Sequence, residues 1–326
     1  MRRTILAAVA MAAPALASEA VTLQRSGDRI EVTIGTTPFT AFYFGGSTTK
    51  PYLHPLRAAD GTAVTRGFPM EDIEGEQRDH PHHRGAWFSH GNVNGVDFWA
   101  NEVEQRGRGL PKGTISLEAV RSSGSGTPSG VIEATLTWKG PEGEPLVKEQ
   151  RRMDFSRKGD RNTVDFDIVL TALQESVKFA DTKEGTFAIR LATELEEQHL
   201  RAKGIPRTGR IWNAEGLQTE AGAWGKRATW VDYSGSISGK PLGVAILDHP
   251  ANPKHPTYWH VRGYGLFAAN AFGEHDFHAD PKRDGSMTIS RGESLRFRYR
   301  VLIHPGRTAD AGIDAEFDAW AGSGGN

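Results

Sequence analysis

The sequence predicts an all-β protein, a large antiparallel β-sandwich with one short C-terminal helix. Three observations predict it. The dominant hydrophobic period is two, glycine is abundant at 38 residues, and a helical period is found only near the end. The cleanest strand is "TVDFDIVL", with Val164, Phe166, Ile168 and Leu170 on one side and Thr163, Asp165 and Asp167 on the other. In "SLRFRYRVLI", Leu295, Phe297, Tyr299, Val301 and Ile303 oppose Arg296, Arg298 and Arg300. Such alternation fits a strand with one buried face and excludes a helix.

Less regular strand patterns cover 30–34, 39–43, 115–120, 131–138, 186–191, 228–233, 242–247 and 265–271, punctuated by Gly, Pro, Asn and Asp. "RSSGSGTPSG" (121–130) reads as a long hairpin loop. In "TADAGIDAEFDAWAG", Ile313, Phe317 and Trp320 fall at i, i+4 and i+7 and Gly322 stops the helix. The tail "GSGGN" reads as loose. No repeat and no Pro/Ser linker divides the chain, so residues 18–326 are expected to form one sandwich domain, with a jelly-roll pair as the alternative.

Residues 1–17 read as a secretory signal. Arg2 and Arg3 precede an apolar run from Ile5 to Ala13, and Ala15-Leu16-Ala17 offers a small-residue cleavage site. The arginine pair raises the twin-arginine route beside the general one. No later stretch reaches the roughly 18 apolar residues of a membrane helix. The chain has no cysteine, which excludes lipid anchoring through a thiol, disulfides and thiolate metal sites. The expected location is therefore periplasmic or secreted. A net charge of −1, from 39 basic and 40 acidic residues, argues against a nucleic-acid or membrane-surface partner. A small molecule or oligosaccharide is expected instead; the oligomeric state is not legible.

Three polar clusters carry the chemistry. "RDHPHHRGAWFSHG" (78–91) holds His80, His82, His83 and His90. Read as extended chain, it puts His80 and His82 on one side, about 6–7 Å apart, with His83 facing alongside Asp79 or Gly85. Trp87 and Phe88 then take opposite faces of a strand, and Asn94 adds a neutral amide of the kind that sugar hydroxyls select. "FADTKEGTFAIRLATE" (179–194) places Lys183 and Glu184 before a strand that Arg190 interrupts; such an arginine faces solvent or meets an anion. "LDHPANPKHPTYWHVRGYGLFAANAFGEHDFHAD" (247–280) carries His255, Trp259, His260, Arg262 and Asn270. There, His260 and Arg262 share one strand face and Trp259 and Val261 the other. The first and third clusters are expected to meet in one pocket, lined by His80, His82, His83, Arg84, His255, His260 and Arg262. No G-x-S-x-G, P-loop, H-E-x-x-H or G-x-G-x-x-G motif is present. "HPH" lacks the glutamate three or four residues on that a cupin metal site would supply.

"DHPHHRGAWFSHGNVNGVDFW", "DTKEGTFAIRLA", "RATWVDYSG" and "DHPANPKHPTYWHVRGYGLFAANAFG" together resemble a family of secreted bacterial proteins labelled "methane oxygenase PmoA" or PmoA-like. The resemblance covers nearly all of the mature chain. It implies a β-sandwich similar to galactose-mutarotase-like domains and, through the sugar-breakdown genes among which members occur, a carbohydrate ligand. The oxygenase label itself denotes an integral membrane subunit, which the hydropathy of this chain contradicts.

The expected function is a carbohydrate-active enzyme of epimerase, lyase or hydrolase type. His80, His82, His83, His260, Glu184 and Lys183 are its catalytic candidates, since histidine ordinarily titrates near operating pH. Arg84, Trp87, His90, Asn94, Arg190, His255, Trp259, Arg262 and Asn270 are its substrate-binding candidates. No cofactor is required. The alternatives are a non-catalytic sugar-binding protein and a divalent-metal site with His80, His82 and His260 as ligands.

Overall fold

The computed structural model describes residues 19–197 and 204–323. The signal segment expected at 1–17 and the end of the tail lie outside the described residues. Two eight-stranded antiparallel sheets dominate. The first contains β1 (Val21–Ser26), β2 (Arg29–Ile34), β3 (Thr37–Tyr43), β4 (Tyr52–Leu53) and β5 (Ala86–His90). The second begins with β6 (Thr114–Ser123), β7 (Ser129–Lys139), β8 (Pro145–Lys158) and β9 (Arg161–Ala172). After β10 (Ser176–Phe179), the chain returns to the first sheet as β11 (Gly185–Arg190). It then supplies β12 (Arg210–Asn213), β13 (Trp230–Ile237) and β14 (Lys240–Asp248) to the second. Strands β15 (Tyr258–Val261) and β16 (Leu266–Asn270) complete the first sheet, β17 (Met287–Ser290) pairs with β10, and β18 (Ser294–Pro305) enters the middle of the second. The orders are β1-β2-β3-β4-β5-β11-β16-β15 and β12-β13-β14-β18-β9-β8-β7-β6. Consecutive strands are mostly neighbours, so the architecture is a pair of meander-rich sheets and not a jelly roll.

The inner faces form the core. Phe88, Phe187, Ala269 and Trp259 stand directly opposite one another across β5, β11, β16 and β15. Phe187 stacks on Tyr299 of β18 at 4.9 Å and meets Phe166 of β9 at 4.6 Å, which joins the two sheets. The expected C-terminal helix is α3 (Ile313–Gly322), after two five-residue helices, α1 (Thr219–Ala223) and α2 (Glu274–His278). In α3, Ile313 and Trp320 are buried and Phe317 packs beside them. Among the described residues, no helix is long and apolar enough to cross a membrane.

Two sequence expectations need correction. The segment 121–130 is not one long loop: β6 and β7 pair as far as Ser123 opposite Val131, leaving a short turn. Strand β8 was not expected at all, because charges stand on its inward face and break the alternation. Glu149 and Arg151 are both buried between hydrophobic neighbours. Trp138 Nε1 donates to Glu149 Oε2 at 2.7 Å, and Arg151 Nε donates to Glu149 Oε1 at 2.7 Å. Paired in this way the charges are tolerable in the core; separated, one would be buried without a counter-charge. Arg151→Ala is therefore expected to cost about 3–5 kcal/mol in urea denaturation. The double variant Glu149→Gln/Arg151→Met, which keeps an acceptor for Trp138, is expected to cost much less. A single substitution no worse than the double one contradicts this reading.

Candidate functional site

The site lies on the outer face of the first sheet. Backbone register sets a cross-strand row there of Tyr52, Trp87, Ala188, Ala268 and His260, on β4, β5, β11, β16 and β15. Three strand spacings put His260 about 14 Å from Trp87 along the sheet. The alanines at the centre leave room above the strands, which Trp87 and Trp99 fill as a buried aromatic layer. Over this floor the chain from 77 to 85 lays down its histidines.

That chain is held from below by two fully buried arginines. Arg66 Nη1 donates to Gln77 O at 3.2 Å and to Asp79 Oδ1 at 2.5 Å, and its Nη2 donates to His80 O at 3.1 Å. Arg190 Nη2 reaches the same Asp79 oxygen at 3.2 Å. The chain therefore turns at His80, which sits at φ 45°, and His83 N donates to His80 O at 3.0 Å. The expected extended run is corrected here: side-chain hydrogen bonds to the loop backbone outweigh the intrinsic preference against the left-handed region. Gly85 completes the turn. A Cβ at that position would stand 2.1 Å from Leu53 O, so only glycine fits.

The turn gathers the rings. Tyr264, His80, His83 and Trp87 form one continuous stack, with centroid separations of 5.4, 4.7 and 5.2 Å. His82 meets His83 edge-on at 4.3 Å. The Arg190 guanidinium lies 4.7 Å from the Tyr264 ring centroid, within cation–π range. The cavity that results holds about 360 Å³ and is lined by His80, His82, His83, Trp99, Ala100, Lys183, Glu184, His260, Arg262, Tyr264 and Leu266. The two histidine-bearing segments thus share one cavity, and the Lys183–Glu184 pair, 3.3 Å apart, joins them.

Hydrogen-bond partners fix the state of most imidazoles. Arg190 Nη1 can only donate, so His83 Nδ1, 3.2 Å away, accepts and the ring carries its proton on Nε2. Gln105 accepts Glu102 N–H through Oε1 and so offers its Nε2–H to His82 Nδ1 at 2.9 Å. His82 is likewise the Nε2–H tautomer. His260 Nδ1 donates to Lys183 O at 2.8 Å, and its Nε2 accepts Arg262 Nε at 3.2 Å.

All three rings are held neutral at physiological pH. Burial, then the charge of Lys50, pulls His82 down to about 2. Burial, followed by His82 and Arg190, puts His83 well below its ordinary value. Burial takes His260 down to about 4 despite the Lys183 carbonyl. Lys50, itself fully buried, is lowered by burial to about 8.

His80 differs. It is 40% exposed, and its Nδ1 stands 2.8 Å from Asp79 Oδ2, leaving Nε2 without a partner among the described residues. Burial raises Asp79, but the His80 hydrogen bond and the charges of Arg190 and Arg66 outweigh it and hold the carboxyl well below the usual range. Asp79 is therefore ionised and donates nothing; it orients the His80 proton.

The remaining sequence candidates lie elsewhere, each with a packing or hydrogen-bonding role. Arg84 does not line the cavity: it forms a two-point pair with Glu102 at 3.0 and 2.8 Å. His255 is also outside it, bound to Asp248 at 2.7 Å and stacked against Phe317. His90 faces the core, 2.8 Å from Ala180 O and 4.6 Å from the Phe272 ring. Asn94 bridges to Ser176 O and Lys178 N of β10, and Asn270 to Thr182 O and Phe272 N. Trp259 is in the core and donates to Ala228 O. Trp87 and Arg190 lie beneath the cavity rather than on its wall. Among the described residues, no group of three or more His, Asp or Glu side chains is placed to hold a metal ion, so His80, His82 and His260 are not gathered as a ligand set. Sequence reasoning did not single out Arg66, Asp79, Lys50 or Gln105. The one local signal was the aspartate directly before His80.

Residues 29–318, most of the chain and all of this site, match the sequence model of a family described as "Family of unknown function (DUF6807)". The chain belongs to DUF6807. No curated protein matches this DUF6807 sequence. Among solved structures, it is similar to a protein from Escherichia coli K12 provisionally described as an aldose 1-epimerase. The two share 11% identity at a TM-score of 0.35, over 87% of this chain and 99% of the other.

Within this DUF6807 site, Arg190 serves Asp79, His83, Glu196 and Tyr264 at once, and its side chain is wholly buried. Arg190→Met leaves two carboxylates short of a counter-charge. It is expected to cost about 3–5 kcal/mol in chemical denaturation. A loss under about 1 kcal/mol, the scale of a surface pair, contradicts this central role.

Proposed function

We propose that the cavity is the active site of an exported enzyme that transfers protons on a sugar or sugar derivative, as an epimerase, lyase or hydrolase. The observation that carries the reading is the Asp79–His80 pair, with His80 on the cavity wall and Asp79 bonded behind it. An ionised carboxylate that holds one ring nitrogen fixes the tautomer, aligns the ring and stabilises the imidazolium formed when the other nitrogen takes a proton. His80 Nε2 is that second nitrogen. Lys183 and Glu184 on the same cavity supply a partner acid or base for the return transfer.

The sugar is supported by the wall itself. Aromatic rings with neutral N–H groups suit the apolar faces and hydroxyl edges of a pyranose, and the volume falls within the range of small-molecule pockets, about 300–1,000 Å³. The sequence resemblance to PmoA-like proteins points to carbohydrate by association only. Export rests on the N-terminal 17 residues, and on this reading 18–326 form one sandwich domain whose partner is a small molecule or oligosaccharide. The reading requires no cofactor.

A second reading, a non-catalytic sugar-binding protein, is favoured by one specific observation: three of the four imidazoles at the cavity are locked neutral and act as fixed hydrogen-bonding groups. One experiment separates the two. A panel of reducing sugars and sugar acids is incubated with the protein in D₂O and followed by proton NMR for anomer exchange, deuterium uptake at carbon, or bond cleavage. Turnover is expected, reduced at least about 10²-fold in His80→Gln, the usual weight of a general acid–base group, with the melting temperature little changed. Full activity in His80→Gln rejects the catalytic assignment. Binding by calorimetry without any chemical change selects the second reading.

A further inference from the structure

A hydrogen-bond census of the wall shows what it lacks. His82 and His83 each have Nδ1 filled by a donor, from Gln105 and Arg190. Their remaining nitrogens are both N–H donors, and neither has a partner among the described residues. Trp99 also lines the cavity, and its buried Nε1–H has no partner among the described residues. Among the described residues the only carboxylate in the lining is Glu184, tied to Lys183. Lys183 and Arg262 add further donors. A wall this rich in donors is completed by a ligand rich in acceptors.

Charge points the same way. Beneath the two neutral imidazoles lie Arg66 and Arg190, both wholly buried, and the buried Lys50 stands alongside. Asp79 is shared by both guanidiniums and by His80. Glu102 is shared by Lys50 and Arg84, and Glu196 by Arg190 and Arg207. Each counter-charge thus serves more than one cation. Burial first, and then the neighbouring cations, lower His82 and His83, so these surroundings favour an anion over a further cation.

We propose that the sugar taken by this cavity carries a carboxylate, seated against the Nε2–H groups of His82 and His83 and the indole N–H of Trp99. Charge-assisted hydrogen bonds from neutral rings, with Arg190 one shell behind, hold such a group without exposing a fixed cation to the sugar. The inference rests on the carbohydrate reading above and narrows it to sugar acids.

The test is calorimetry at low salt with D-glucuronate and D-galacturonate beside their neutral counterparts D-glucose and D-galactose. At least one acid is expected to bind about tenfold or more tightly than its neutral counterpart, the scale of one hydrogen bond to a charged group. Trp99→Phe keeps the ring and removes the donor. It is expected to shrink that preference, read as the ratio of acid affinity to neutral-sugar affinity. Equal affinity for acids and neutral sugars overturns this inference and leaves the carbohydrate reading standing. Binding of none of the four overturns both. An acid preference untouched by Trp99→Phe removes Trp99 from the seat. If Trp99→Phe fails to fold, the comparison of acid with neutral sugar on the unaltered protein still decides.

Discussion

The arrangement of the cavity depends on one carboxylate between two buried guanidiniums. Asp79 accepts from Arg66 at 2.5 Å and from Arg190 at 3.2 Å, and its second oxygen holds His80. Among the described residues Asp79 is the one carboxylate paired with Arg66, while Arg190 also has Glu196, and the two guanidiniums hold Asp79 and the His80 carbonyl in the turn that stacks His80 on His83. The sheet contributes the other half. A register that sets Trp87, Ala188, Ala268 and His260 in one row gives a rigid platform with room at its centre. Precise placement of side chains on strands, supported by a layer of hydrogen bonds below, is what a binding or catalytic site demands.

The same burial that builds the site sets its chemistry. Histidine is usually valued for a pKa close to neutrality, and the sequence invited that use of all four residues. The structure divides them. His82, His83 and His260 are desolvated beside cations, so their neutral forms prevail and their nitrogens become directional donors or acceptors. His80 is partly exposed, bonded to an ionised aspartate, and has one nitrogen without a partner among the described residues. One imidazole thus keeps a ring nitrogen open beside an ionised carboxylate and three are held as fixed donors or acceptors, within a single cluster of similar residues.

The fold was legible wherever one face of a strand was uniformly apolar. Strands β9 and β18 and helix α3 follow directly from period, as does the division of His260 and Arg262 from Trp259 and Val261. Strand β8 was hidden because Glu149 and Arg151 face inward, and their mutual pairing is invisible to any pattern of polarity. The meeting of the two histidine segments could be anticipated from their shared chemistry, but the turn at His80 could not. Its causes are Arg66, 14 residues earlier, and Arg190, which meets Asp79 across 111 residues. His90, Asn94, His255 and Asn270 show the converse. Their types suggested ligand contacts, yet each is consumed in bonding the protein's own backbone or a neighbouring carboxylate, which sequence spacing does not reveal.

Burial beside cations fixes three imidazoles in defined neutral tautomers. Long-range proton–nitrogen NMR of the histidine side chains, assigned with single His→Gln variants, tests it most directly. His82 and His83 are expected to remain neutral with the proton on Nε2, and His260 neutral with the proton on Nδ1, from about pH 8 down to about pH 5, well below the ordinary histidine value of about 6.5. Titration of any of the three near that ordinary value, or the opposite tautomer at His82 or His83, would contradict it.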